Sequence, residues 1–172
     1  PIRWTQAASM LYLDQPYGTG FSFASSNTSG GVVHNETQLR NAAAAAIVQF
    51  FDRHPQYSSR PFFIFGESFA GHMAPNIAYR LLELKAQHDA AAGPAAFPVN
   101  LRGLAIGDGW VEPTLQNAAF PTYAFATGLI SDELRSLLDT RAKECAKVIA
   151  GGNYTAAFYG PCYYQMLNPI VE

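Results

Sequence analysis

The segment that most constrains the fold is PFFIFGESFAG, which runs from Pro61 to Gly71. Its apolar residues Phe62–Phe65 predict a short buried strand, and the small residues at its end predict the start of a helix. Ser68 stands between the two. A strand, a sharp turn and a helix with a serine at the apex form a nucleophile elbow, in which the serine hydroxyl faces the N–H groups of the helix N-terminus.

The turn of such an elbow needs small residues where the helix closes over the strand. Gly66 and Ala70 occupy these positions, two residues before and two after Ser68. The generic pattern has glycine at both positions, so Ala70 departs from it. The alternative interpretation is a buried strand followed by a serine that caps the helix, which is common in α/β proteins. The motif alone favours the nucleophile and leaves the cap open.

Apolar patterns on both sides of the elbow predict an α/β fold. Strands are predicted at Ser9–Asp14, Phe62–Phe65 and Leu101–Ile106, and helices at residues 36–53, 70–87, 114–127 and 131–150. Strands that alternate with helices form a mainly parallel sheet with flanking helices. After Trp110 the pattern is helical only. We therefore expect two parts, residues 1–112 with the sheet and residues 113–172 with helices alone.

Composition and charge exclude several classes of protein. The chain has 172 residues, of which 49% are hydrophobic, so it can bury a core of its own. Its net charge of −2 does not favour binding to nucleic acid or to an anionic membrane. No apolar run approaches the roughly 20 residues of a membrane-spanning helix. No nearby histidine completes a metal site with the two cysteines, so we predict neither a metal nor a cofactor.

Two further segments, MLYLDQPYGTGFSF at residues 10–23 and LRGLAIGDG at residues 101–109, lie on either side of the elbow. Together with GESFAGHMAP they resemble the serine carboxypeptidase family, an α/β-hydrolase branch that removes C-terminal residues from peptides. The family's segments read approximately LDQPxGxGFS, GESYAGHYxP and GxAIGNG, in this order. Phe69 replaces the usual tyrosine and Asp108 the usual asparagine; the aspartate form resembles a vitellogenic-like branch of the family.

The resemblance implies a partial α/β-hydrolase fold. Residues 1–112 would be part of the core that carries the elbow, and residues 113–172 would begin a helical cap. The family's WNGGPG-type segment would precede Trp4, and the acid and base of the catalytic triad follow the serine at a distance in this fold. None of the four histidines is a convincing base for Ser68. The chain is therefore expected to be a fragment that is inactive alone.

The elbow and the resemblance together assign roles around the serine. Ser68 would attack the peptide carbonyl and form an acyl-enzyme that water hydrolyses. The backbone N–H of Phe69 would donate to the oxyanion, and the Phe69 ring would line the pocket for the residue before the scissile bond. Glu67, when protonated, would donate a hydrogen bond to the substrate's C-terminal carboxylate, which favours binding at acid pH. The alternative for Glu67 is a polar network near the turn.

Asp14 and Asp108 stand at the carboxyl ends of their predicted strands, where α/β sheets place ligand contacts. Aspartate also stabilises turns through hydrogen bonds from its side chain to nearby backbone groups. For both residues, the turn-stabilising role is the interpretation that we favour.

Sequons and cysteines indicate the cellular compartment. N-glycosylation sequons begin at Asn27, Asn35 and Asn153. Cys145 and Cys162 would form a disulfide with each other, or each would pair with a cysteine outside this chain. Both features favour the secretory pathway, with the protein secreted or in the lumen of a lysosome or vacuole.

The sequence thus predicts a serine carboxypeptidase that acts at acid pH on the C-terminus of a peptide or protein. No nucleic acid partner and no membrane span are predicted. Two alternatives stay open. One is an acyltransferase on the same scaffold, in which an alcohol replaces water as the acceptor. The other is a truncated chain that does not catalyse.

Overall fold

The computed structural model describes residues 3–23, 33–91 and 96–171. The described structure is a mixed α/β arrangement with two parallel strands, and the chain divides into two compact units, Pro1–Gly109 and Trp110–Glu172. The helices and strands are α1 (Glu36–Arg53), β1 (Phe62–Glu67), α2 (Ala70–Ala91), β2 (Leu101–Gly107), α3 (Pro113–Ala126), α4 (Asp132–Ala150), α5 (Tyr154–Ala157) and α6 (Tyr164–Val171).

In the first unit, helix α2 packs against both strands, and α1 packs against α2. The strands pair in parallel from Phe62 opposite Leu101 to Glu67 opposite Gly107. Side chains of a strand point alternately to the two faces of its sheet. Accordingly Phe62 and Ile64 pack against the core. The buried core residues of this unit are Leu39, Ala43, Ala44, Ile47, Phe51, Ile77, Leu81 and Val99.

The predicted strand at Ser9–Asp14 is wrong. A strand needs backbone hydrogen bonds to a neighbouring strand, and no described backbone group hydrogen-bonds to the backbone N–H or C=O groups of this segment. Leu11, Tyr12 and Leu13 are exposed instead, Tyr12 with 75% of its surface accessible. The apolar run carries no information about whether a partner strand is present.

Every regular element of the second unit is a helix, as the sequence pattern predicts. Ser131 caps the N-terminus of α4, because its hydroxyl oxygen accepts a hydrogen bond from the Leu134 N–H at 3.3 Å. Cys145 and Cys162 form a disulfide with a Cα–Cα distance of 4.8 Å. The disulfide joins α4 to the segment after α5. The buried core residues of this unit are Leu138, Ala142, Cys145, Ala157, Cys162 and Met166.

Candidate active site

Strand β1, Ser68 and helix α2 form the predicted strand–turn–helix. Strand β1 ends at Glu67, and α2 begins at Ala70. Ser68 is exposed and has a φ of 56°. A left-handed backbone at a residue other than glycine costs on the order of 1–3 kcal/mol, so the surrounding structure must enforce it. This conformation is the strained turn that lifts the serine out in a nucleophile elbow.

Gly66 allows α2 to approach β1 closely. A Cβ atom added at Gly66 would lie 2.7 Å from the Ala70 Cβ and 3.4 Å from the Ala74 Cβ. Carbon atoms in favourable contact are about 3.5–4.0 Å apart. The glycine is therefore required at position 66. The absence of a side chain there also explains why an alanine is accommodated at position 70, where the generic elbow has a second glycine.

Backbone hydrogen bonds fix the turn to its neighbours. The Ser68 N–H donates to the Gly107 carbonyl at 3.1 Å, and the Gly71 N–H donates to the Ser68 carbonyl at 2.9 Å. The His72 N–H donates to the Phe69 carbonyl at 3.0 Å. Helix α2 begins at Ala70, so Phe69 and not Ser68 occupies the N-cap position directly before it. The geometry therefore supports the elbow over the alternative of a capping serine.

Glu67 and Phe69 flank the serine, and both are exposed. The Phe69 side chain keeps 47% of its surface accessible, and its ring centroid lies 5.4 Å from that of His72. Glu67 is opposite Gly107 in the sheet. In the described part of the chain its carboxylate has no hydrogen-bond or ion-pair partner. The alternative of a polar network around Glu67 therefore has no support from the described residues.

Strand β2 ends in a second left-handed turn beside the first. Asp108 has a φ of 35°, and it follows Gly107, whose carbonyl accepts the Ser68 N–H. Asp108 is exposed, and its carboxylate hydrogen-bonds to no described residue. The turn-stabilising hydrogen bond that we favoured for Asp108 is thus not seen. Aspartate is one of the few residues enriched in this conformation.

Asp14 has the turn-stabilising contacts that the sequence suggested. Its Oδ2 accepts a hydrogen bond from the Phe21 N–H at 2.7 Å, and its carbonyl accepts one from the Ser22 hydroxyl at 2.9 Å. Gly20, with a φ of 55°, makes room for this carboxylate, because a Cβ there would collide with it. These contacts close residues 14–22 into a loop.

The described histidines lie at helix ends. His72 is in the first turn of α2, and His88 lies near the other end of this helix, about 24 Å away at 1.5 Å per residue. His34 precedes α1, and His54 ends it. Among the described residues, no group of three or more histidine, cysteine, aspartate or glutamate side chains could hold a metal ion. No helix in the described ranges is long and apolar enough to cross a membrane.

The serine carboxypeptidase family profile matches residues 1–159, which include the elbow and both strands. The chain belongs to the serine carboxypeptidase family. A structure comparison agrees, because the crystal structure of Kex1(delta)p, a prohormone-processing carboxypeptidase from Saccharomyces cerevisiae, superposes with a TM-score of 0.70 at 24% identity. The match covers 91% of this chain and 34% of that one. The predicted α/β-hydrolase fold class is confirmed.

Curated relatives come from distant organisms. Serine carboxypeptidase S10 family member 2 of Dictyostelium discoideum is 35% identical over 157 residues, which are 91% of this chain and 27% of the relative. Serine carboxypeptidase-like 49 of Arabidopsis thaliana is 36% identical, with coverages of 83% and 26%. The human probable serine carboxypeptidase CPVL is 34% identical, with coverages of 90% and 31%. The chain thus spans less than a third of the length of these relatives.

Proposed function

We propose that Ser68 is the nucleophile of a serine carboxypeptidase that releases C-terminal residues from peptides. The observation that carries the proposal is the left-handed Ser68 between β1 and α2 in a chain of this family. Its Oγ would attack the last peptide carbonyl, the C-terminal amino acid would leave with a proton, and water would hydrolyse the acyl-enzyme. The Phe69 N–H would donate to the oxyanion, a contact worth about 100- to 1000-fold in rate.

The complete gene product tests this assignment. Ser68→Ala should lower the turnover of a blocked dipeptide by several orders of magnitude and leave the far-UV spectrum unchanged. Ser59→Ala, at an exposed serine in the loop before β1, is the matched control and should keep full activity. A fluorophosphonate probe should label wild type and the control but not Ser68→Ala. Persisting turnover and labelling in Ser68→Ala would refute the proposal. Transfer from a glucose ester to an alcohol, without dipeptide hydrolysis, would indicate the acyltransferase instead.

We further propose that Glu67 holds the substrate's C-terminal carboxylate through a proton. The exposed Glu67 carboxyl immediately precedes the nucleophile and has no competing partner among the described residues. A protonated carboxyl donates a hydrogen bond to a carboxylate, whereas an ionised one repels it. Binding should therefore be strongest on the acid side and weaken as pH rises. This would make proteolysis most efficient at acid pH.

The pH dependence of KM distinguishes this role from others. For a peptide with a free C-terminus, KM should rise with pH, while an amidated peptide should show a much flatter profile. Glu67→Gln keeps an N–H donor that does not titrate, so it should flatten the free-acid profile and retain binding at neutral pH. Because kcat also depends on the general base, KM is the quantity to follow. Equal slopes for both substrates, unchanged in Glu67→Gln, would exclude Glu67 from carboxylate recognition.

For the wider protein, we propose that residues 1–112 are part of the hydrolase core and that residues 113–172 begin a helical cap; the two compact units, Pro1–Gly109 and Trp110–Glu172, support this division. A route through the secretory pathway, to the cell exterior or to a lysosomal or vacuolar lumen, is supported by the Cys145–Cys162 disulfide, because disulfides persist in oxidising compartments. The sequons agree with this route, although Asn27 lies outside the described residues.

A further inference from the structure

Asn35 is the N-terminal capping residue of α1. Its backbone is extended, with φ −160° and ψ 164°, and its Oδ1 accepts a hydrogen bond from the Gln38 N–H at 2.9 Å. The Gln38 side chain makes a second hydrogen bond at this helix start, because its Oε1 accepts from the His34 N–H at 2.8 Å. The helix that begins here supplies five buried residues of the core. The cap therefore acts on an element that the first unit needs.

The other polar atom of this side chain, Nδ2, donates to no described residue. Asn35 and Thr37 are both exposed. Asn35, Glu36 and Thr37 form a sequon, the acceptor for N-linked glycans on a protein surface. The cap uses the side-chain carbonyl, and a glycan would use the side-chain nitrogen. The two roles thus fall on different atoms of one amide.

We propose that Asn35 carries an N-linked glycan and caps α1 at the same time. In the transfer, Nδ2 loses a proton and bonds to C1 of a sugar. The C1–O bond to a lipid-linked diphosphate donor breaks, and the lipid diphosphate leaves. The amide carbonyl is unchanged, so Oδ1 still accepts from the Gln38 N–H. The inference rests on the proposed secretory route and adds a modification site with a structural role.

Asn153 offers an internal comparison in the second unit. Its Oδ1 accepts a hydrogen bond from the Ala156 N–H at 3.1 Å, and both Asn153 and Thr155 are exposed. The same division of the amide between its two atoms is therefore present at a second sequon. Helix α5 has only four residues, so little structure depends on this cap. The inference is made for Asn35. Glycosylation of Asn153 serves as a control, because it shows that the protein was exposed to the glycosylation enzymes.

The test uses the complete gene product, expressed in a eukaryotic host and taken through its secretory pathway. Mass spectrometry of peptides should find a glycan on Asn35. Amide hydrogen exchange of the first turn of α1 should be the same before and after peptide N-glycosidase, which converts the glycosylated asparagine to aspartate and so keeps an acceptor oxygen. Loss of the acceptor in Asn35→Ala should speed exchange of the Gln38 N–H roughly fivefold.

Matched variants separate the two roles. Asn35→Asp should lose the glycan and keep slow exchange of the Gln38 N–H. Thr37→Ala should also lose the glycan and keep slow exchange, with Asn35 still in place. Thr37→Ser should keep the glycan and the slow exchange. An unmodified Asn35 in a protein glycosylated at Asn153 would overturn this inference but leave the proposed secretory route intact. Absence of every glycan from a protein that stays in the cytosol would overturn the secretory route as well. A glycosylated Asn35 with exchange as fast as in Asn35→Ala would show that the glycan breaks the cap.

Discussion

Replacing Gly66 by alanine tests the close approach of α2 to β1, on which the elbow depends. The added Cβ would lie 2.7 Å from the Ala70 Cβ, which is about 0.8–1.3 Å short of a favourable carbon contact. Neither atom can rotate away, because a Cβ position is fixed by its backbone. The clash must therefore be relieved by moving the start of α2 away from the strand, and this movement displaces Ser68.

Two consequences of different size follow from this displacement. Extra methyl groups in well-packed contacts typically cost about 1–3 kcal/mol, so Gly66→Ala should lower the free energy of unfolding by that amount. A misplacement of reacting groups by about 1 Å can cost about 100-fold in rate, so kcat/KM should fall further than stability alone explains. Urea unfolding followed by circular dichroism, together with dipeptide hydrolysis, measures both effects in the complete gene product.

Gly103→Ala is the matched control in the neighbouring strand. A Cβ at Gly103 would lie 3.4 Å from the Phe63 Cδ1, an atom of an exposed ring that can adjust. The control should therefore change stability and activity little. Adding Ala70→Gly to Gly66→Ala removes the clashing atom and should restore part of both losses, with a coupling energy of about 0.5–3 kcal/mol. If Gly66→Ala behaves like Gly103→Ala, or if Ala70→Gly restores nothing, the argument from close approach is wrong.

Two further predictions concern the turns around the serine. Asp14→Ala removes the acceptor of the Phe21 N–H, so hydrogen exchange of that amide should become about fivefold faster, as expected for a bond worth about 1 kcal/mol. Asp14→Asn keeps an acceptor oxygen, so the exchange rate should change less. Equal exchange rates in both variants would contradict the role of this bond. Asp108→Asn should leave the unfolding free energy nearly unchanged, because asparagine tolerates a positive φ, whereas Asp108→Val should cost about 1–2 kcal/mol. Equal stability of the two Asp108 variants would show that the left-handed turn is not enforced.

The elements that the sequence predicts correctly are those whose signals are local. The sequence predicts helix α1 at residues 36–53 and the structure has it there, because the apolar spacing lies within the segment and Pro55 follows shortly after its end. The elbow is equally local, since a glycine and an alanine placed around a serine determine how closely a helix can follow a strand. Helix α4 begins at its serine cap for the same reason.

Other features needed information that the local sequence does not hold. The sequence does not predict the short helices α5 and α6, because Gly160 and Pro161 separate them and Pro169 lies inside α6, where proline normally argues against a helix. The left-handed Asp108 could have been recognised from the Gly–Asp–Gly sequence, because aspartate between glycines is typical of a positive φ. That its turn lies beside Ser68 follows only from the parallel pairing of β1 with β2.

Strand β1 shows most clearly where local prediction ends. Phe62–Phe65 is an unbroken apolar run, the pattern of a strand in a parallel sheet covered on both faces. In the structure one face packs on the core, while Phe63 and Phe65 on the other keep 51% and 62% of their surfaces accessible. On this face the Trp4 ring lies 5.9 Å from that of Phe65. The sequence of β1 is thus typical of a strand covered on both faces, whereas the described residues cover only the face of Phe62 and Ile64.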